Sequence, residues 1–98
     1  MEVEFASETL KEMDEKPDCS GGYSAELARA FRKVTRFIKA AADERDFRAM
    51  RSLNFEKLKG SDEQYSMRLN KQWRLIVEII ASKPKNIIVV VCIADYHD

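Results

Sequence analysis

From Ser24 onward the apolar positions Leu27, Phe31, Val34 and Ile38 recur at steps of four, three and four, and Ala30, Phe37 and Ala41 widen the stripe. This spacing predicts an amphipathic helix with Ser24 as its N-cap. Arg29, Arg32, Lys33, Arg36 and Lys39 occupy the remaining faces, so the helix presents a basic side. Upstream, Glu2-Val3-Glu4-Phe5 alternates polar and apolar residues like a short strand. Ser7 is placed to cap a brief helix running to about Glu15, with Leu10 and Met13 on one side. Pro17 ends that helix, and Asp18-Cys19-Ser20-Gly21-Gly22 has loop chemistry. Asp43 is the expected cap of a shorter helix through about Met50, with Phe47 and Met50 three residues apart.

After Leu53 the helical period gives way to strands. Tyr65, Met67 and Leu69 alternate with Ser66 and Arg68, which predicts a strand over 64–69. Trp73 to Ile80 reads as a second strand, with Trp73, Leu75, Val77 and Ile79 on one face and Arg74, Ile76, Glu78 and Ile80 on the other. Pro84-Lys85-Asn86 makes a turn. Ile87 to Ile93 is a wholly apolar run, expected to be the central strand and buried on both faces. Helices first and strands last predict one α+β domain over residues 1–98, its helices packed on one face of a small, mainly antiparallel sheet that ends in a three-stranded meander. The Val3–Phe5 segment is expected to pair with that sheet, and the open face is where function should be sought.

The chain has 98 residues, one domain's worth, and 35% of them are charged. No stretch has the roughly 18 to 20 apolar residues of a membrane span, and Met1-Glu2-Val3-Glu4-Phe5 lacks the basic flank of a signal peptide. A cytoplasmic protein without membrane attachment is expected. Cys19 and Cys92 fit no metal spacing and are read as reduced thiols, and no cofactor or metal is expected.

Seventeen basic and seventeen acidic residues give a net charge of zero, which by itself argues against binding nucleic acid through phosphate neutralisation. The distribution changes that picture. Residues 1–26 hold eight acids and two bases, net −6; residues 27–60 hold ten bases and four acids, net +6; residues 61–98 hold five of each. Arg36 and Arg48, within the basic middle, and Arg68 are therefore candidates for RNA contact.

Arg68 precedes the predicted hairpin turn and Arg74 follows it. A loop spanning Asn70 to Gln72 with a bulge sets the two opposite each other on one face, whereas a strict two-residue loop pairs Met67 with Arg74. Facing cations are unfavourable unless an anion lies between them, and phosphate is a natural one. Asp95-Tyr96-His97 then gathers a carboxylate, a phenol and the only imidazole at the end of the last strand. Trp73, on the side shared with Leu75, Val77 and Ile79, is read as core.

Leu58-Lys59-Gly60, Asn70 followed by Trp73-Arg74-Leu75, and the terminal Asp95-Tyr96-His97 occur in that order. Together they resemble the host-inhibition-of-growth (HigB) toxins of the RelE/ParE superfamily, with the match best over residues 53–98. The resemblance implies a RelE-like fold and the toxin of a type II toxin–antitoxin pair: an endoribonuclease that cleaves translated messenger RNA on the 70S ribosome. It also implies a cognate helix-turn-helix (HigA-like) antitoxin, whose complex with the toxin binds operator DNA through the antitoxin.

Carried over residue by residue, the catalytic candidates are Lys59, Arg74, Asp95, Tyr96 and His97. The chemistry fits these types. Metal-free cleavage needs a base for the 2′-hydroxyl proton, cations for the phosphate and an acid for the leaving 5′ oxygen. Arg74 and Lys59 are assigned to the phosphate, Asp95 or His97 to the base, and Tyr96 to stacking or positioning. Many members read H-P-L-K-G where this chain has Glu56-Lys57-Leu58-Lys59-Gly60, so a carboxylate, Glu56, replaces the histidine and is a possible auxiliary base. A second class of function is a non-catalytic or weakened inhibitor of the same fold, acting by binding a target such as DNA gyrase.

Overall fold

The computed structural model describes residues 1–95. Strand β1 (Glu2–Phe5) leads into α1 (Glu8–Glu15), the long α2 (Ala25–Ala40) and the short α3 (Arg45–Ala49), and a single 3₁₀ turn (Arg51–Leu53) precedes the remaining strands. These are β2 (Glu56–Lys57), β3 (Gln64–Arg68), β4 (Trp73–Ile80) and β5 (Ile87–Asp95), which with β1 form one five-stranded sheet in the order β1-β5-β4-β3-β2. All neighbours are antiparallel except β1 and β5, which run parallel through Glu2–Ile87 to Phe5–Val90.

Both serine caps are in place. Ser7 Oγ accepts from the Leu10 amide at 3.2 Å, and Ser24 Oγ accepts from the Leu27 amide at 3.0 Å. α3 starts later than its acidic residues suggest: Asp43 Oδ1 accepts from the Arg45 amide at 2.9 Å but lies one residue outside the cap position, which Glu44 holds without a side-chain bond. The helices bury Leu10, Met13, Leu27, Phe31, Ile38 and Phe47 against Met67, Leu75, Val77, Ile88 and Val90 of the sheet. Arg32 is buried with them, and its Nη1 donates to the Met13 and Cys19 carbonyls at 3.1 and 3.3 Å, which satisfies backbone acceptors where α1 ends. Gly21, in the left-handed region at φ +62°, packs so closely that a β-carbon there would lie 2.5 Å from Met13 Sδ.

Two expectations change. β4, not β5, is the middle strand, and Leu75, Ile76 and Val77 are its buried run. β5 alternates instead. Ile88 and Val90 are fully buried and Ile93 nearly so, while Val89 is half-buried and Cys92 exposed. The helices cover one face only, and a bulge shifts the register between Ile76–Cys92 and Val77–Val90, re-phasing the alternation so that Ile93 returns to the core. An apolar run cannot by itself reveal that one of its faces is uncovered.

The charge gradient becomes a spatial one. α1 packs on β1 and α2, at one edge of the sheet, and its Asp14 accepts from Thr35 Oγ1 and pairs with Lys39. β2 and β3 lie at the other edge, three strand spacings from β1 to β3, or about 14 Å. The acids of β1 and α1 are thus held at the β1 edge, whereas the end of the acidic head returns to the sheet, with Tyr23 against Trp73 and Glu26 beside the β3–β4 turn.

Candidate functional site

The β3–β4 turn decides the register left open by the sequence. Asn70 Oδ1 accepts from the Gln72 and Trp73 amides at 2.9 and 2.8 Å, an Asx-type turn, and the Leu69 amide donates to the Trp73 carbonyl. The longer loop is the one formed, and Arg68 stands directly opposite Arg74. By strand alternation both project on the face away from the helices, together with Ser66 and Ile76, both of them buried, and with Glu56, which pairs with Ser66.

Asn54 joins this group from the segment between the 3₁₀ turn and β2. Its backbone is left-handed, φ 46° and ψ 53°, and among the described residues no other non-glycine residue has a positive φ. Its carbonyl accepts from Arg74 Nη1 at 3.2 Å. The orientation of its amide follows from its neighbours: the oxygen accepts from Arg74 Nη2 at 3.0 Å, and the nitrogen donates to Glu56 Oε1 at 3.2 Å. One residue therefore holds both the guanidinium and the carboxylate. Sequence reading passed over Asn54, although an asparagine just after the last apolar residue of a helical stretch, here Leu53, is a recognisable left-handed cap.

The other candidates are more dispersed. Lys59 is exposed in the β2–β3 loop before Gly60, beyond the Lys57–Tyr65 pair, and that pair lies three residues, about 10 Å, along the sheet from the Arg68–Arg74 level. Asp95 pairs with Trp73, so alternation puts it on the helix-side face, opposite to that of Arg74, where its Oδ2 accepts from Gln72 Nε2 at 3.2 Å. Trp73 is half-buried against the core with Tyr23 edge-on at 5.7 Å, as its core reading requires. Tyr96 and His97 lie outside the described residues.

A groove of about 450 Å³ runs between α2 and the 3₁₀ turn, floored by Ala30, Val34, Phe37 and Leu53 and rimmed by Lys33, Arg36 and Arg68. The exposed Met50 separates it from a cleft of about 440 Å³ that is lined by Arg48, Arg51, Asn54 and Phe55, with the Arg48 guanidinium 5.2 Å from the Phe55 ring centre. Arg36 and Arg68 thus share one groove, and Arg48 lines the cleft that ends at Asn54. Cys92 is on the Arg74 face two residues before Ala94, and although the residue is exposed, partial desolvation of its sulfur raises the thiol above its ordinary value.

A five-stranded mixed sheet with helices on one face, and with Arg68 and Arg74 opposed on β3 and β4, has the architecture of a RelE-superfamily toxin. It is similar to a solved YoeB/ParE toxin from Agrobacterium tumefaciens, with a TM-score of 0.60 at 12% identity, covering 99% of this chain and 100% of that one. The family described as the RelE-like toxin of the type II toxin–antitoxin system HigB matches residues 3–97, and the chain belongs to it. No curated protein shows significant sequence similarity to the chain. Membership makes it a toxin with an antitoxin partner. Among the described residues, no helix is long and apolar enough to cross a membrane.

Proposed function

We propose that this toxin is a ribosome-dependent endoribonuclease that cleaves translated messenger RNA. The observation that carries the reading is the Arg68–Arg74 pair on one sheet face with Glu56 tied to Arg74 through Asn54. Directly opposed cations favour an anion between them, and a scissile phosphate supplies it. A base takes the 2′-hydroxyl proton, O2′ attacks the adjacent phosphorus, the P–O5′ bond breaks and an acid protonates the 5′ oxygen, leaving a 2′,3′-cyclic phosphate and a 5′-hydroxyl. Arg74 and Lys59 would carry the charge that develops on the phosphate, which needs no metal in this scheme. Glu56 is on Arg74's face and bridged to it, so it is the carboxylate we assign as base. Tyr96 and His97 remain candidates for stacking and for the leaving-group proton, and Asp95 for orienting them.

Arg36, Arg48 and Arg68 line the groove and cleft that lead to Asn54, a path suited to the ribose-phosphate chain of the message or to ribosomal RNA. A helix-turn-helix antitoxin would silence the toxin, and cytoplasmic localisation follows from a ribosomal target. The test is induced expression followed by mapping of RNA ends. Cuts confined to translated message and lost in Arg74→Ala support the proposal; intact RNA with altered DNA supercoiling would support a gyrase-binding inhibitor instead.

A further inference from the structure

We propose that Asn54 is a positioning residue that sets the geometry of Arg74 and Glu56 together, an inference that rests on the ribonuclease reading and deepens it. Its two acceptors receive the two terminal nitrogens of Arg74, Nη1 on the carbonyl and Nη2 on the amide oxygen. Two bonds to one residue fix the plane of the guanidinium as well as its position. The same amide donates to Glu56 Oε1, so the carboxylate is referenced to the guanidinium through a single rigid group.

The backbone explains why asparagine suits this position. At φ 46° and ψ 53° the residue occupies the left-handed region, where asparagine is tolerated better than other residues with a side chain. Asn54 ends the 3₁₀ turn, its amide donating to the Arg51 carbonyl at 3.0 Å, and two residues later Glu56 begins to pair with β3. The turn therefore aims both the carbonyl and the side chain of Asn54 at β4. Strain of this kind persists where the surroundings fix it, and it clusters at functional sites. Small displacements of positioning groups can cost about a hundredfold in rate.

Three variants separate positioning from stability. Asn54→Gly keeps the backbone angle and the carbonyl acceptor but removes the amide. Asn54→Asp keeps the angle and an oxygen for Arg74 but sets a second carboxylate against Glu56. Asn54→Ala removes the amide and strains the backbone. Single-turnover cleavage of message on translating ribosomes should show Asn54→Gly lowering the maximal rate about tenfold or more, with the half-saturating toxin concentration changed less than threefold.

Asn54→Asp should also be slow, because the oxygen that replaces the amide nitrogen cannot donate to Glu56 and sets a like charge against it, while Arg74 keeps an acceptor. Equal losses in all three variants that track only a lower melting temperature would overturn the proposal, as would parental rates in Asn54→Gly under conditions where Arg74→Ala abolishes cleavage. If the parent protein does not cleave, the ribonuclease reading fails by itself. The positioning is then decided by the Arg74 Nη resonances: slowed guanidinium rotation in the parent and averaging in Asn54→Gly uphold it, and identical spectra refute it.

Discussion

Arg68 and Arg74 face each other across the β3–β4 pair, and each is drawn towards a different backbone carbonyl: Arg68 Nε donates to Asn70 at 3.3 Å, and Arg74 Nη1 donates to Asn54 at 3.2 Å. Like charges directly opposed on a sheet are destabilising, and the two carbonyls offset part of that cost. The Asn54 amide oxygen and Glu56, on the same face, offset more of it, and a bound anion at the pair would add to that.

Removing one member should therefore separate stability from binding. Arg68→Ala is expected to leave the protein as stable as the parent or more stable by up to about 0.5 kcal/mol, since an exposed repulsion is relieved. Ribosome or RNA affinity should fall, and the slope of log affinity against log salt should shrink by about one. Denaturant unfolding together with binding titrations at several salt concentrations checks both halves; a destabilised protein with unchanged binding would contradict the assignment.

Arg32 provides the opposite case, a cation with a structural task. Its guanidinium is buried and donates to the Met13 and Cys19 carbonyls. Arg32→Met keeps much of the apolar stem but leaves those carbonyls without the donor, so a loss of about 2 kcal/mol is expected, read as a lower denaturant midpoint. Cleavage by the folded fraction should be unchanged, because Arg32 is buried on the helix side of the sheet and Arg74 projects on the other face.

The contrast between Arg32 and Arg68 shows what could be read from residue order. Local signals were reliable: the step pattern from Leu27 to Ile38 and the two serine caps describe α1 and α2 as they form. The five-strand order was not visible, because β2 is only two residues long and owes its existence to pairing with β3. The register of Arg68 and Arg74 is open in the sequence, since it depends on the Asn70 side chain closing the turn. Of the site, Arg74 and Glu56 are reached through the resemblance to the HigB toxins, Arg74 also through its place beside the hairpin turn. Their connection through Asn54 was hidden because it depends on a left-handed backbone angle. The resemblance groups Asp95 with Arg74, yet the Trp73–Asp95 pairing directs it to the other face.

Acid should reveal one exposed pair. Asp43 accepts from the Arg45 side chain and amide, and these bonds, followed by the attraction of the nearby Arg45 charge, lower its carboxyl from 3.8 to about 2. A carboxyl depressed in the folded state stabilises the protein above its unfolded value, and that contribution disappears as the pH falls through the folded value. Asp43→Asn should therefore be slightly less stable than the parent at pH 5 to 7, with the difference closing between about pH 4 and pH 2. Thermal melts across that range would show it, and a gap that widened on acidification would have the wrong sign.

The base assignment allows the most discriminating comparison. Glu56 shares a face with Arg74 and is joined to it through Asn54, whereas Asp95 is paired with Trp73 and accepts from Gln72. A base must reach the proton it removes beside the phosphate that the cations hold, so residues on Arg74's face meet that demand most directly. Glu56→Gln keeps the shape and an oxygen to accept from the Asn54 amide, and it should lower the single-turnover rate on translating ribosomes by about a hundredfold with little change in ribosome affinity. Asp95→Asn, which also preserves shape, should cost less than about tenfold if its part is to orient the residues that follow it. The reverse ranking, with Asp95→Asn inactive and Glu56→Gln near the parent, would move the base to the end of β5 and leave Glu56 as a partner that only holds the Asn54 amide.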